Sequence, residues 1–381
     1  MSLTTSDVFT QFADADWSFA GSAPRHEFHP YPARFVSDFP RQVIELTEPD
    51  GPVVDPFCGS GTPLFEARRA GRGAVGSDIN PIACLISRVR TTPIPAGEVD
   101  GLRDAAAAVR EAAARSREVD AAVRAIPRLD HWFSLPAQLA MAGARGAVAV
   151  ANVSNLGRDV LAAGVSAATV RISNQESDTR YAAVDKGRTQ AECATILEDS
   201  IVKTVRSVVA ATQDVDAATQ LIVRESDAQD LSWLDSDSAG LACFSPPYPN
   251  AYEYWLYHKY RMYWLGVDPI RVRSQEIGAR PHYCRPNGLT EVDFADQMTR
   301  AYGELLRVLK PGAYAVALVG DSFIGGRQID NGSLLSNAAE DAGFDIVGSL
   351  VRPVAENRSS FNRAHSRGRK TEHIVISRKP E

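Results

Sequence analysis

The sequence predicts an α/β protein built on a doubly wound, mostly parallel sheet, and three observations carry the prediction. Short apolar runs alternate with helix-length amphipathic segments along most of the 381 residues, the pattern of βαβ units rather than of consecutive hairpins. The first run, Pro52 to Asp55, breaks off in a Gly-x-Gly turn at Gly59 and Gly61 that feeds directly into a helical segment, Thr62 to Arg72. A second run, residues 73–78, ends on Asp78, after which Asn80-Pro81 supplies an N-cap and a first-turn proline for a helix reaching about Arg90.

Two strands joined by a crossover helix pair in parallel, so the rest of the chain is expected to extend that sheet. Leu221 to Glu225 and Leu241 to Phe244 are predicted as short buried strands, followed by an aromatic-rich helix from Tyr252 to Leu265. Val292 to Leu309 is a long amphipathic helix closed by Lys310-Pro311-Gly312; residues 313–319 give the next strand, and residues 344–351 and 373–377 the last two. Between the two halves lies residues 97–218. Helical spacing in Ala- and Arg-rich Asp104 to Arg124, and again in Asp199 to Thr212, marks this region as a mostly helical insertion. The polar stretch Ile172 to Thr189 has no period and is predicted as a loop, and no internal repeat is present.

The composition is that of a globular chain, 44% hydrophobic and 23% charged. No apolar run approaches the roughly 20 residues of a membrane-spanning helix, and the start is acidic and aromatic (Asp14, Asp16, Trp17) rather than signal-like. A soluble, cytoplasmic protein without a membrane partner is expected. The five cysteines, Cys58, Cys84, Cys193, Cys243 and Cys284, form no CxxC pair, so reduced thiols are expected rather than a disulfide framework or a zinc ribbon. His282 and Cys284 are two residues apart, but no second pair at ligand spacing accompanies them, and no metal is assigned. The net charge of −6 is uneven: residues 257–285 carry six Lys or Arg against two acids, and residues 351–381 eight against three. Such asymmetry suits a localised polyanion-binding face, although a solvated basic surface has the same composition.

Chemistry enters with Val54-Asp55-Pro56-Phe57-Cys58-Gly59-Ser60-Gly61-Thr62, followed 23 positions after Asp55 by Asp78. Glycines in a strand-to-helix turn let a ligand approach the backbone, and the helix N-terminus offers amides to an anionic group. An acid at the tip of the next strand is placed to receive ribose hydroxyls. This wording resembles the S-adenosylmethionine-binding motif of amino-group DNA methyltransferases, and of some tRNA guanine methyltransferases. The resemblance implies the class I, Rossmann-like methyltransferase fold, whose last two strands form an antiparallel pair. It also implies a cofactor site of Asp55, Pro56, Phe57, Gly59, Gly61, Thr62, Asp78 and Asn80, with Gly59, Gly61 and Thr62 on the methionine part, Asp78 on the ribose and Asp227 near the adenine. Upstream, His29-Pro30-Tyr31-Pro32-Ala33-Arg34-Phe35 resembles the segment that closes over the methionine moiety in these enzymes, which adds Tyr31, Pro32 and Phe35.

The second constellation is Phe244-Ser245-Pro246-Pro247-Tyr248, directly after an apolar run. Two prolines remove two donors and stiffen the chain, leaving carbonyls that only accept. An exocyclic amino group about to be methylated needs acceptors for both N–H bonds, because its lone pair is otherwise delocalised into the ring. Ser245 Oγ and the Pro246 carbonyl can serve, and Tyr248 offers a face on which an extruded base can stack. In isolation Pro-Pro-Tyr is a turn; after a buried strand, in a chain with the glycine motif, it resembles the catalytic motif of cytosine-N4 DNA methyltransferases, where serine stands first. Adenine-N6 enzymes more usually carry Asp or Asn there. Cys243 precedes the motif inside an apolar run and is expected to be buried, which disfavours a covalent cytosine-C5 route.

The chain is therefore expected to be a site-specific, S-adenosylmethionine-dependent DNA methyltransferase acting on cytosine N4 of a flipped base in double-stranded DNA, in a restriction-modification or defence setting. Ser245, Pro246, Pro247 and Tyr248 are its catalytic residues. Adenine N6, guanine N2 of RNA, and a silent nucleic-acid-binding subunit are the alternatives. The cofactor motifs precede the catalytic one, the reverse of the order in many cytosine-N4 enzymes. The predicted organisation is an N-terminal segment with the cofactor half (1–96), the insertion as candidate DNA-recognition region (97–218), and the catalytic half (219–381). The Arg-rich segment Asn357 to Lys370 is a candidate for phosphate contacts.

Overall fold

The structure, a computed structural model, describes residues 5–19, 27–32, 35–178, 180–250, 253–284, 287–353 and 371–381. The basic segment 357–370 lies outside the described residues, as do Ala33, Arg34 and Tyr252.

Among the described residues, seven strands form one sheet in the order β3-β2-β1-β4-β5-β9-β8. They are β1 (Val53–Asp55), β2 (Ala74–Asp78), β3 (Leu221–Glu225), β4 (Ala239–Phe244), β5 (Leu309–Gly320), β8 (Asp345–Pro353) and β9 (Thr371–Arg378). The first five pair in parallel, whereas β9 runs antiparallel between β5 and β8. This is the class I methyltransferase topology, mostly parallel with an antiparallel C-terminal pair. A small hairpin, β6 (Ser322–Ile324) and β7 (Arg327–Ile329), projects after β5.

Alternation along the strands decides which layer covers each face. Val53, Leu241, Cys243, Val316 and Ile376 pack with α1 (Thr5–Asp14), α2 (Asp38–Thr47) and α3 (Thr62–Arg69), through Phe12, Phe39, Val43 and Leu64. On the opposite face Val54, Val75, Ala242 and Phe244 meet Phe294, Met298 and Tyr302 of α14 (Glu291–Val308) and Leu335 of α15 (Asn331–Ala342). The predicted turn Lys310-Pro311-Gly312 falls within β5 and acts as a bulge. The parallel ladder with β4 jumps from Ala239↔Leu309 to Leu241↔Tyr314, so the proline nitrogen is not asked for a ladder hydrogen bond.

The region 97–218 is helical: α5 (Val99–Arg115), α6 (Ala121–Arg124), α7 (Leu129–Trp132), α8 (Leu135–Val150), α9 (Asn155–Ile172) and α10 (Gln190–Ala211). It does not carry a core of its own. Leu102, Met141, Leu161 and Leu197 share one cluster with Ile82 and Leu85 of α4 (Pro81–Thr91) and with Tyr260 and Trp264 of α11 (Tyr254–Trp264). Arg68 fastens the chain where it returns from the insertion, donating to the carbonyls of Thr91 at 2.6 Å and Asp216 at 2.8 Å. Two short helices, α12 (Pro269–Gln275) and α13 (Arg280–Tyr283), lead from α11 to α14. No helix among the described residues is long and apolar enough to cross a membrane.

Candidate active site

The strand order puts β1 between β2 and β4, so the chain leaves β1 on one side for β2 and reaches β4 only after the whole insertion. Ligands of doubly wound sheets bind outside the carboxyl ends of the strands at such a reversal. A cleft of about 810 Å³, partly continuous with solvent, opens there. The turn after β1 contributes Pro56, Phe57, Gly59 and Thr62; the tip of β2 contributes Asp78 and Asn80; the turn after β3 contributes Asp227. Ser245 and Pro247 enter from the turn after β4, Tyr31 and Phe35 from the N-terminal segment, and Tyr254 and Glu276 close the far wall.

The glycine turn is shaped from within. Asp55 Oδ1 accepts the Phe57 amide at 3.0 Å, and Gly59 and Gly61 both take positive φ, 49° and 75°. A Cβ on Gly61 would stand 2.8 Å from Ser87 Oγ and 2.9 Å from its Cα, and one on Gly59 would press at 3.3 Å on the Tyr31 ring. These glycines therefore serve backbone approach as much as conformation. Asp78 is gripped by two amides, Gly59 N–H donating to Oδ2 at 3.0 Å and Asn80 N–H to Oδ1 at 2.8 Å. Burial nevertheless raises its carboxyl to about 6, the two amides only partly offsetting it. Asn80 caps α4, its Oδ1 accepting the Ile82 amide at 3.0 Å, and its buried Nδ2 has no protein partner.

Eleven of the residues singled out in the sequence line the cleft: Tyr31, Phe35, Pro56, Phe57, Gly59, Thr62, Asp78, Asn80, Asp227, Ser245 and Pro247. The remaining five are not among its lining residues. Asp55 is buried beneath the turn with its Oδ2 unpaired, and Gly61 faces Ser87. Pro32 and Pro246 are chain neighbours of lining residues. Tyr248 lies against Gly320 at the end of β5, where a Cβ would come within 3.1 Å of its ring. The serine-proline turn is braced by the segment after α12. Asn250 N–H donates to the Gly278 carbonyl at 2.9 Å, and Gly278, with φ of 76°, passes so close that a Cβ would sit 3.0 Å from the Tyr248 carbonyl.

Sequence reasoning did not find Glu276. It is buried in the cleft wall, where Oε1 accepts the Tyr254 amide at 2.9 Å and Oε2 the Trp255 amide at 2.8 Å. Burial raises its carboxyl to about 8 against those amides, with Asp78 adding a smaller push in the same direction. Nor did the aromatic run reveal its division of labour: Tyr254 lines the cleft and His258 stacks on Tyr31 at 5.0 Å, while Tyr260 and Trp264 pack into the insertion against Phe133. Cys243 is fully buried, and burial pushes its thiol well up. At the far end of β5, Asp321, Asp330 and His373 hold ligand atoms within 4.8 Å of one another, with His373 Nε2 3.0 Å from Asp321.

The donor set fits the S-adenosylmethionine implied by the glycine motif. Asp78 and Asp227 are acceptors for hydroxyl and amino groups, Asn80 Nδ2 is a buried donor awaiting an acceptor, and Tyr31, Phe35, Phe57 and Ile277 supply apolar faces for a nucleoside. Comparison with known proteins bears on the same segment. Residues 6–88, which hold the glycine turn, Asp78 and Tyr31, match the N6/N4 family described as DNA methylase.

That match spans about a fifth of the chain.

The chain is also 34% identical over 116 residues to the type II methyltransferase M.MvaI of Kocuria varians, covering 28% of this chain and 26% of that one. Over 66 residues it is 35% identical to the type II methyltransferase M.MjaII of Methanocaldococcus jannaschii, covering 17% of this chain and 12% of that one. The chain thus spans about a quarter or less of the length of these relatives. Superposition on solved structures is loose, as with an S-adenosylmethionine-dependent methyltransferase from Methanosarcina mazei (12% identity, 92% of this chain, 99% of that one, TM-score 0.33). Strand order, not superposition, defines the fold here.

Proposed function

We propose that the chain is an S-adenosylmethionine-dependent DNA methyltransferase that methylates the exocyclic N4 of a flipped cytosine, acting as the modification arm of a restriction-modification system. The observation that carries this reading is the meeting of two motifs in one cleft: Ser245 and Pro247 open onto the same cavity as Gly59, Asp78 and Asn80, although some 167 residues separate Asp78 from Ser245. A methyl acceptor held at Ser245 would face a donor held at the glycine turn.

When bound, the cofactor supplies an electrophilic methyl on a sulfonium. The chain's own work is to hold the amino nitrogen in line with it. Ser245 Oγ and the Pro246 carbonyl accept one N–H bond each, drawing the nitrogen toward a pyramidal form with its lone pair available. Tyr248 supports the base from the Gly320 side. Positive charge develops on the amino group during transfer, and the carbonyl-rich, donor-poor proline turn stabilises it until a proton leaves to solvent. The serine in the first position of the motif favours cytosine over adenine.

The test is direct. Tritiated S-adenosylmethionine and duplex DNA, followed by digestion and chromatography of nucleosides, should place label in N4-methylcytosine. Label confined to N6-methyladenine would move the acceptor to adenine, and label in N2-methylguanosine with RNA alone would overturn the DNA reading. The insertion, residues 97–218, is the candidate for sequence recognition. Because it shares a core with α4 and α11, surface substitutions rather than deletion are the proper test, with altered site preference expected and unaltered preference counting against it.

A further inference from the structure

Three cations converge where the insertion meets α11. Arg128, at the turn between α6 and α7, has left-handed backbone (φ 56°) and an exposed side chain. The adjoining Pro127 carbonyl accepts the Tyr260 hydroxyl at 3.3 Å, which fixes this turn against α11 beside Lys259. Lys259 and Trp255 are four residues apart and share a face of the helix. The Lys259 ammonium lies 5.6 Å from the Tyr260 ring centroid, and the Arg273 guanidinium of α12 lies 5.4 Å from that of Trp255. Among the described residues none of the three makes an ion pair with a carboxylate, whereas their neighbours Arg261 and Arg271 are paired with Asp178 and Glu225.

Such an arrangement is repulsive in the free protein. The Lys259 ammonium is held below the ordinary lysine range, first by burial and then by Arg128 and Arg273. Like charges brought together from three elements are complementary to a polyanion, and the Tyr260 and Trp255 rings hold the Lys259 and Arg273 heads. The patch and the cleft share α11. On α11, Lys259 is five residues past the lining residue Tyr254, about 7.5 Å along the helix axis and about 140° around it.

We propose that Arg128, Lys259 and Arg273 seat the phosphate backbone of duplex DNA next to the flipped base, the insertion and the catalytic half each supplying part of the seat. This rests on the methyltransferase reading above, and the experiment separates the two. Binding of a labelled 30-base-pair duplex is measured over a range of sodium chloride for the wild type and for a triple variant, Arg128→Gln, Lys259→Gln and Arg273→Gln. The slope of log affinity against log salt should fall by about 0.9 for each phosphate no longer neutralised, or about 2.7 for all three. Affinity for the duplex at physiological salt should drop at least tenfold, while the affinity for S-adenosylmethionine is unchanged. Because repulsion is removed, the thermal midpoint of the variant at low salt should be equal to or above that of the wild type; a purely structural role would lower it. Lys259→Arg should keep the wild-type slope. A triple variant with an unchanged slope, in a wild-type protein that methylates the duplex, overturns the patch alone. A slope change seen with an RNA duplex but not with DNA overturns the assignment of the partner. A wild-type protein that neither binds nor methylates DNA overturns the methyltransferase reading and the seat with it.

Discussion

Glu276 holds Tyr254 by its backbone: Oε1 accepts the Tyr254 amide at 2.9 Å, and the second oxygen takes the amide of Trp255. The residue preceding α11, Glu253, makes no side-chain cap, so the helix is capped from across the cleft. Tyr254 in turn stacks on Tyr31 at 5.9 Å, and Tyr31 rests on Gly59. One buried carboxyl thereby links the wall behind the serine-proline turn to the aromatic cover of the glycine turn.

That carboxyl makes stability depend on pH. The folded state keeps the Glu276 proton to about 8, whereas the unfolded chain releases it near the ordinary value of 4.5. The folded state binds more protons in that window, so this group's contribution falls as pH rises from about 4.5 to about 8. Glu276→Gln cannot ionise. Its thermal midpoint should decline less than that of the wild type between pH 5 and 8.5, and parallel declines would show that Glu276 does not titrate in this window.

Asp78 titrates with function rather than stability as the more direct readout. As an anion it accepts both amides and presents its remaining lone pairs to the cleft; below about 6 it is protonated and loses acceptor capacity. S-adenosylmethionine affinity by calorimetry should weaken as pH falls from 7 to 5. Asp78→Asn should bind at least tenfold more weakly at pH 7 and lose the pH dependence, since about 1.4 kcal/mol for a lost charge-assisted hydrogen bond corresponds to that factor.

Gly61→Ala tests the packing beneath the turn. The added methyl would meet the Ser87 Cα at 2.9 Å, a backbone atom that cannot swing aside, at a positive φ of 75°. Overpacking and left-handed strain together should cost about 2–4 kcal/mol, read as a lower denaturant midpoint. A midpoint within error of the wild type would show that the turn can relax away from α4.

Ser245→Ala separates chemistry from binding. Removing one acceptor from the methylated amino group should lower kcat by about 10- to 100-fold, with the S-adenosylmethionine dissociation constant within about twofold of the wild type. Equal losses in both would make Ser245 a structural residue of the turn.

The first βαβ unit was legible because its signals are local. Gly59, Gly61, Asn80 and Pro81 each impose a backbone state, and the resulting α3, β2 and α4 lie within a few residues of where the sequence places them. Other signals were present and unused. Thr189 and Glu192 form a capping box that starts α10 at Gln190, nine residues before the predicted Asp199, and Asp330 and Gly343, the latter with φ of 106°, bracket α15. Glu276 had no such signal. Its burial comes from α11 and the serine-proline turn closing over it, a long-range event that residue type and spacing do not encode. The same holds for the insertion: periodicity shows that it is helical, but not that its core is completed by α4 and α11.

That shared core bears on whether the insertion can be exchanged as a unit. A region that interrupts a sheet between β3 and its neighbour looks interchangeable on a sequence map. Here one face of α11 belongs to it: Tyr260, Trp264 and the buried Arg261, which donates to the Ser166 carbonyl at 3.0 Å. The other end of the same helix belongs to the cleft. A transplanted insertion would arrive without its floor, so a working chimera has to carry the matching face of α11 with it, and evolutionary drift on either side is held in check by the other.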